Sequence, residues 1–277
     1  MRSQDARSVA FILVTLTLLC MPHGVAVPDW LAPAWIVIVA LLCFAASIVN
    51  HNHMHCATFR SPVANGAFEF ALTLARGHTA SDVIVPHNLN HHAEANREAD
   101  WIRPQLAGEG LGWLRLARYV CKASFNMGVQ RLHSGAPWLP PDKVASARAQ
   151  RILLWVAILV ACLHDPVVFL LFNALPWLAG LVVLVGVNLL QHDGCDERMP
   201  FGESRNFTSR VGNWLLFNNG YHTAHHFEPS RHWSELPALH ATLRARLPRD
   251  DLEVESILGF LWQFGWRRAG AHRRIRA

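Results

Sequence analysis

The chain has 277 residues, of which 52% are hydrophobic and 16% charged, with a formal net charge of +5. That is ordinary length for one domain, but too apolar and too poor in charge for a typical water-soluble one. The six cysteines (20, 43, 56, 121, 162, 195) form no CxxC pair, which argues against a disulfide framework, while seventeen histidines stand against twenty acidic residues.

The first apolar segment runs over residues 8–27 and is interrupted at Pro22-His23-Gly24. Arg2 and Arg7 precede it as in a secretory signal, but no clean small-x-small cleavage site follows and Pro22-His23 fits one poorly, so a retained membrane anchor is expected. Residues 31–50 carry no charge, and about twenty apolar residues are enough to span a bilayer. Residues 148–163 and 167–191 read as two further spans, the last with a kink expected at Pro176. Gly66–Arg76 and Ile257–Trp266 are apolar but short, as interfacial helices are. The Arg-rich tail after Trp266 is expected to touch anionic lipid.

The spans are joined in pairs by Val27-Pro28-Asp29-Trp30 and His164-Asp165-Pro166, connectors short enough to make two helical hairpins. Of the 25 Lys and Arg, two precede the first span, eleven lie in 60–151, twelve follow His192, and the connectors hold none. The positive-inside rule then puts both termini and a polar cap, 51–147 and 192–277, in the cytoplasm. This distribution accounts for the basic charge without a nucleic-acid partner. The expected fold is an all-α integral membrane domain over 1–277: four transmembrane helices under a cytoplasmic helical cap.

The histidines fall in four groups: His51, His53 and His55 after the second span; His87, His91 and His92; His192 at the end of the fourth span; and His222, His225 and His226. Residues three and four apart share a helix face. His51 therefore aligns with His55, and His87 with His91, with His92 one step round; His222, His225 and His226 are placed to converge. His53 faces away and is expected beside the site rather than in it. Imidazole suits iron, zinc, copper or nickel, and nine of these histidines exceed what one ion takes. No HExxH is present to suggest a zinc protease. Asn188 lies one turn before His192, and polar groups at membrane depth are often functional. Asn96, Asp100, Asp193 and Glu228 are expected to orient ligand imidazoles.

These groups, with Asn219-Gly-Tyr-His-Thr-Ala-His-His-Phe-Glu-Pro and His91-His92-x-x-x-Asn96-x-x-x-Asp100, resemble the histidine boxes of the membrane fatty acid desaturase and hydroxylase superfamily, over about residues 30–240. The resemblance implies a di-iron site: two iron ions on His51, His55, His87, His91, His92, His192, His222, His225 and His226, with Asn188 holding a metal-bound water. It also implies O2 as co-substrate, a lipid or fatty acyl substrate, and a separate electron donor of ferredoxin or cytochrome b5 type, since no cytochrome b5 segment is fused. His51-Asn52 lacks the acidic residue that many desaturases carry after the first histidine. Desaturation is the expected reaction, with hydroxylation or ketolation as alternatives on the same scaffold. A membrane metal or haem carrier is disfavoured because the histidines cluster at span ends, not opposite each other within spans.

Overall fold

The computed structural model describes residues 1–133 and 139–268 and is mostly helical; the tail at 269–277, and with it most of the expected lipid contact there, lies outside the described residues. The principal helices are α1 (Asp5–Cys20), α2 (Ala32–His55), α3 (Pro62–Arg76), α4 (Gly112–His133), α5 (Pro141–His164), α6 (Leu175–His192), α7 (His222–Phe227), α8 (Leu236–Leu243) and α9 (Ile257–Trp266). Two strands of two residues, β1 (Asn206–Phe207) and β2 (Glu253–Val254), pair in parallel. They depart from the all-α expectation and are too short to leave an alternating pattern in sequence.

Among the described residues, four stretches are long and apolar enough to cross a membrane: Asp5–His23, Ala32–His55, Pro141–His164 and Pro166–His192. Two differ usefully from the expected bounds. α2 does not stop at residue 50 but carries His51 and His55 on its last turn, and α5 starts at Pro141, before the apolar run, because proline suits the first helical turn. The irregularity expected at Pro176 lies just before it, as a π-helical turn over Leu170–Ala174. Pro176 has no N–H to give the Phe172 carbonyl, and a widened turn absorbs the missing bond.

The chain divides into two compact units, Met1–Val85 with Pro137–Leu184, and Pro86–Ala136 with Val185–Ala277. In the first, α2 packs on α1 and α3, and α3 packs on α5. Gly180 lets the fourth apolar stretch close on α2: a Cβ there would come within 2.9 Å of the Cys43 Cβ. Gly77 ends α3 at φ +70° beneath the Trp177 ring, where a Cβ would come within 2.2 Å; only glycine meets both demands cheaply. The α3–α5 seam is polar. Buried Glu69 receives hydrogen bonds from Lys143 (2.8 Å) and from Gln150 (2.8 Å), whose other amide atom accepts from the Ser81 N–H. A buried carboxylate needs such a full set of donors. The outer faces are apolar, with Trp155, Leu159 and Leu163 in line on α5 and Leu163 78% exposed. A patch of this kind fits lipid rather than water.

In the second unit, β1 leads into the turn before α7. The Phe207 N–H donates to the Gly220 carbonyl at 2.8 Å, and a Cβ on Gly220 would come within 2.2 Å of the Phe207 carbonyl oxygen. Asn213 braces the same turn, donating to Phe207 and accepting from the Gly220 N–H. α7 therefore leaves the ribbon in one fixed direction, with its histidines already aimed.

Candidate metal centre

His87 and His91 lie on a π-helix, Ile84–His91, not the expected α-helix. A π turn brings residues five apart together. His87 accordingly meets His92, Nε2 to Nε2 at 3.1 Å, and His91 is sent elsewhere. The His87 and His91 rings still stack, with centroids 5.4 Å apart, as their spacing predicts, but their nitrogens fall in different groups. α7 divides its histidines too, since adjacent helical residues point in different directions. His225 reaches His92, Nε2 to Nε2 at 3.0 Å, and does not join His222 and His226 in one group.

Within the second unit this makes two groups. His91, His192, His222 and His226 each offer a ring nitrogen, all within 4.8 Å of one another, and His91 and His192 are fully buried. The second group holds His87, His92 and His225. In the first unit, the rings of His51 and His55 meet edge-on at the end of α2, with centroids 4.9 Å apart.

The outward contacts fix the protonation of the buried group. His91 Nδ1 lies 2.8 Å from the Asp100 carboxylate, and His192 Nδ1 lies 2.9 Å from the Glu203 carbonyl oxygen. Both partners only accept at neutral pH, so both Nδ1 atoms carry the proton and donate. The Nε2 atoms are left facing inward: His91 Nε2 lies 3.1 Å from His192 Nε2, and His192 Nε2 lies 3.0 Å from His222 Nε2. Ring nitrogens so close share either a proton or a metal ion. Nitrogens about 3 Å apart are the spacing of neighbouring ligands on one ion with bonds of about 2.1 Å. His226 Nε2 is buried with no hydrogen-bond partner among the described residues. Burial first, and then the adjacent His222, His92, His91 and His192, hold His226 well below the usual histidine range. Neutral imidazole is the ligating form. The donor set therefore fits a metal.

Asp100 is built for its place. Burial alone would raise its pKa, but the hydrogen bond from His91 and those from the Ile102 and Asn96 N–H groups outweigh burial and hold it below the usual carboxylate range. The chain returns to His91 through two left-handed residues, Ala95 (φ 41°) and Asn96 (φ 69°). Asn96 spends its side chain on the Glu203 carbonyl at 2.7 Å, the same oxygen that takes the His192 proton. Asp100 and Asn96 thus brace the two buried imidazoles together.

Other expected residues lie elsewhere. Asp193 pairs with Arg115 through both carboxylate oxygens, and Glu228 pairs with Arg231, rather than with a ligand imidazole among the described residues. His53 Nδ1 is 2.9 Å from the Thr58 hydroxyl and its Nε2 3.9 Å from Glu69, so it belongs to the α3–α5 seam. Asn188 Nδ2 donates to the Tyr119 hydroxyl at 2.6 Å, and Tyr119 in turn donates to the Ile102 carbonyl, two residues from Asp100. Sequence reasoning missed Tyr119 and Glu203. One of only two tyrosines, facing an expected ligand, was a usable signal; Glu203 acts through its main chain, which no side-chain pattern reveals.

Comparison with curated proteins gives no match. The model of the fatty acid desaturase family matches residues 28–257. The match runs from before α2 to the first residue of α9 and takes in all nine histidines, and the chain belongs to the fatty acid desaturase family.

Proposed function

We propose that the protein is an O2-dependent di-iron oxidoreductase that introduces a double bond into the acyl chain of a lipid or fatty acid. Family membership makes it an oxidoreductase of fatty acids, and its apolar helices make it a membrane protein. The observation that carries the metal reading is the convergence of four ring nitrogens, from His91, His192, His222 and His226, within 4.8 Å of one another, with His91 and His192 held from the far side of the ring by Asp100 and the Glu203 carbonyl.

His91, His192, His222 and His226 would hold one iron, and Asn188 would retain a metal-bound water. His87, His92 and His225 would contribute to the other, and His51 and His55 complete the proposed set of nine. When bound, the iron pair supplies the oxidising power, drawn from O2, that removes hydrogen from an unactivated C–H bond. The chain's own part is to keep the imidazoles neutral and aimed, to brace them through Asp100, Asn96 and Glu203, and to exclude water by burial.

The whole chain is one desaturase-type domain of two transmembrane hairpins. Its termini, cap and site are cytoplasmic, as the distribution of Lys and Arg supports. Electrons come from a separate ferredoxin- or cytochrome b5-type protein. Hydroxylation or ketolation on the same scaffold is the second reading, since the ligand set serves both outcomes. The test is expression of the chain and mass analysis of extracted lipids against a His225→Ala form. Loss of two hydrogens in an acyl chain supports desaturation, gain of one oxygen supports hydroxylation, and an unchanged lipid profile with electron donor supplied contradicts both.

A further inference from the structure

We infer that α9 is an in-plane anchor whose outer face beds in the anionic headgroup layer of the bilayer. The inference rests on reading Pro166–His192 as a membrane span.

α9 has two unlike faces. Phe264 and Gly265 are buried, whereas Leu258, Trp262 and Trp266 are 74%, 64% and 59% exposed. These three stand four residues apart and so form one line along the helix. The helix is rigidly seated. A Cβ on Gly265 would come within 2.1 Å of the Trp113 ring, and one on Gly112 within 1.8 Å of the Phe264 carbonyl oxygen. The Gly112 N–H donates to the Arg267 carbonyl at 2.9 Å. The exposed line is thus a fixed surface on a docked helix.

Its place is fixed by two arginines. Arg205 lies 4.3 Å over the Phe260 ring and donates to the carbonyls of Leu190 (2.8 Å) and Asp193 (3.1 Å). Arg115 lies 5.4 Å over the Phe264 ring and pairs with Asp193. Leu190 is in the last turn of α6, and Asp193 is the first residue beyond it. The inner face of α9 is therefore pinned to the point where the fourth apolar stretch ends, which is the level of the headgroups.

The chemistry of the outer face fits that level. Tryptophan collects at membrane interfaces, and an apolar helix face with flanking cations is what anionic lipid holds. Exposed Arg267 and Arg268 close α9. The parallel ribbon adds a second face: β1 leads into a short helix, Arg210–Leu215, as β2 leads into α9. That helix opens with exposed Arg210 and presents Val211 and Trp214, 70% and 54% exposed. A protein partner would not require the face to sit at the end of a span; a bilayer does.

The full chain is reconstituted into phosphatidylcholine vesicles, with or without phosphatidylglycerol, carrying a benzophenone amino acid at position 258, 262 or 178. Leu178, on the fourth apolar stretch and 59% exposed, reports the span itself. Irradiation is expected to give lipid adducts at all three positions. Arg267→Gln with Arg268→Gln is expected to lower the adduct at 262 several-fold in vesicles containing phosphatidylglycerol and to leave it unchanged in phosphatidylcholine alone. Lipid adducts at 178 with none at 258 and 262, or with cross-links there to a second chain or another protein, overturn the anchor and leave the span intact. Absence of adducts at 178 overturns the span and the anchor together.

Discussion

Replacing Asp100 by Asn removes one acceptor oxygen from a buried carboxylate that receives three hydrogen bonds. One oxygen takes His91 Nδ1–H (2.8 Å) and the Asn96 N–H (3.0 Å), and the other takes the Ile102 N–H (2.9 Å). The amide must set its NH2 against one of these sides. If it faces Ile102, a buried donor loses its acceptor, at about 1–3 kcal/mol. If it faces His91, the amide donates to Nδ1, the ring proton moves to Nε2, and the nitrogen proposed to bind metal has no lone pair to offer. Changes to groups that brace a ligand imidazole lower metal affinity about 10- to 100-fold, or roughly 1.4–2.7 kcal/mol. The assay is iron content and iron titration of purified wild type and Asp100→Asn, with a thermal melt to verify folding. A variant that melts like wild type and retains iron with unchanged affinity refutes the role given to Asp100.

Gly220→Ala is expected to destabilise the protein by about 1–3 kcal/mol, since the added methyl meets main chain and Asn213 rather than a flexible side-chain end. Gly66→Ala, in open space on α3, is expected to leave the melting temperature unchanged or raised, so equal losses in the two variants would contradict the packing account. Acid should weaken the fold through His78. Burial, and then the charge of Arg76, lower its pKa to about 3. Its Nδ1–H donates to the Arg76 carbonyl, leaving Nε2 to accept from the Arg76 guanidinium. The folded pKa lies below the unfolded value, so the unfolded chain takes up the proton first. Stability is full above about pH 6.5 and falls as pH drops towards 3, by at most about 1.4 kcal/mol per pH unit. Melting temperatures of wild type and His78→Gln between pH 7 and 4 measure this, and parallel curves would contradict it.

Apolar runs, prolines and charge distribution made the four long helices readable, because each rests on composition over many residues. Their ends were less so: α2 runs on through His55 because a polar turn can extend a helix that an apolar run has already nucleated. The histidines were legible as a set, but not their division between two groups. That division depends on the π-helix at Ile84–His91, which a rule of three and four residues does not anticipate. Asp100 and Asp193 looked alike in sequence, each an acid near a histidine. The left-handed turn at Ala95-Asn96 delivers the first to His91, while Arg115 claims the second. The ribbon of β1 and β2 and the carbonyl of Glu203 are main-chain features brought together across the sequence, with no side-chain signature of their own.

The proposed centre is a pair of irons held by nine histidines. The most direct measurement is metal analysis of the purified chain, joined to Mössbauer spectroscopy of protein loaded with the 57Fe isotope. Two irons per chain with nitrogen-rich ligation, lost or reduced in His91→Ala and in His225→Ala, is the predicted result. A well-folded wild type that binds no iron, or the same iron in both variants as in wild type, would contradict it.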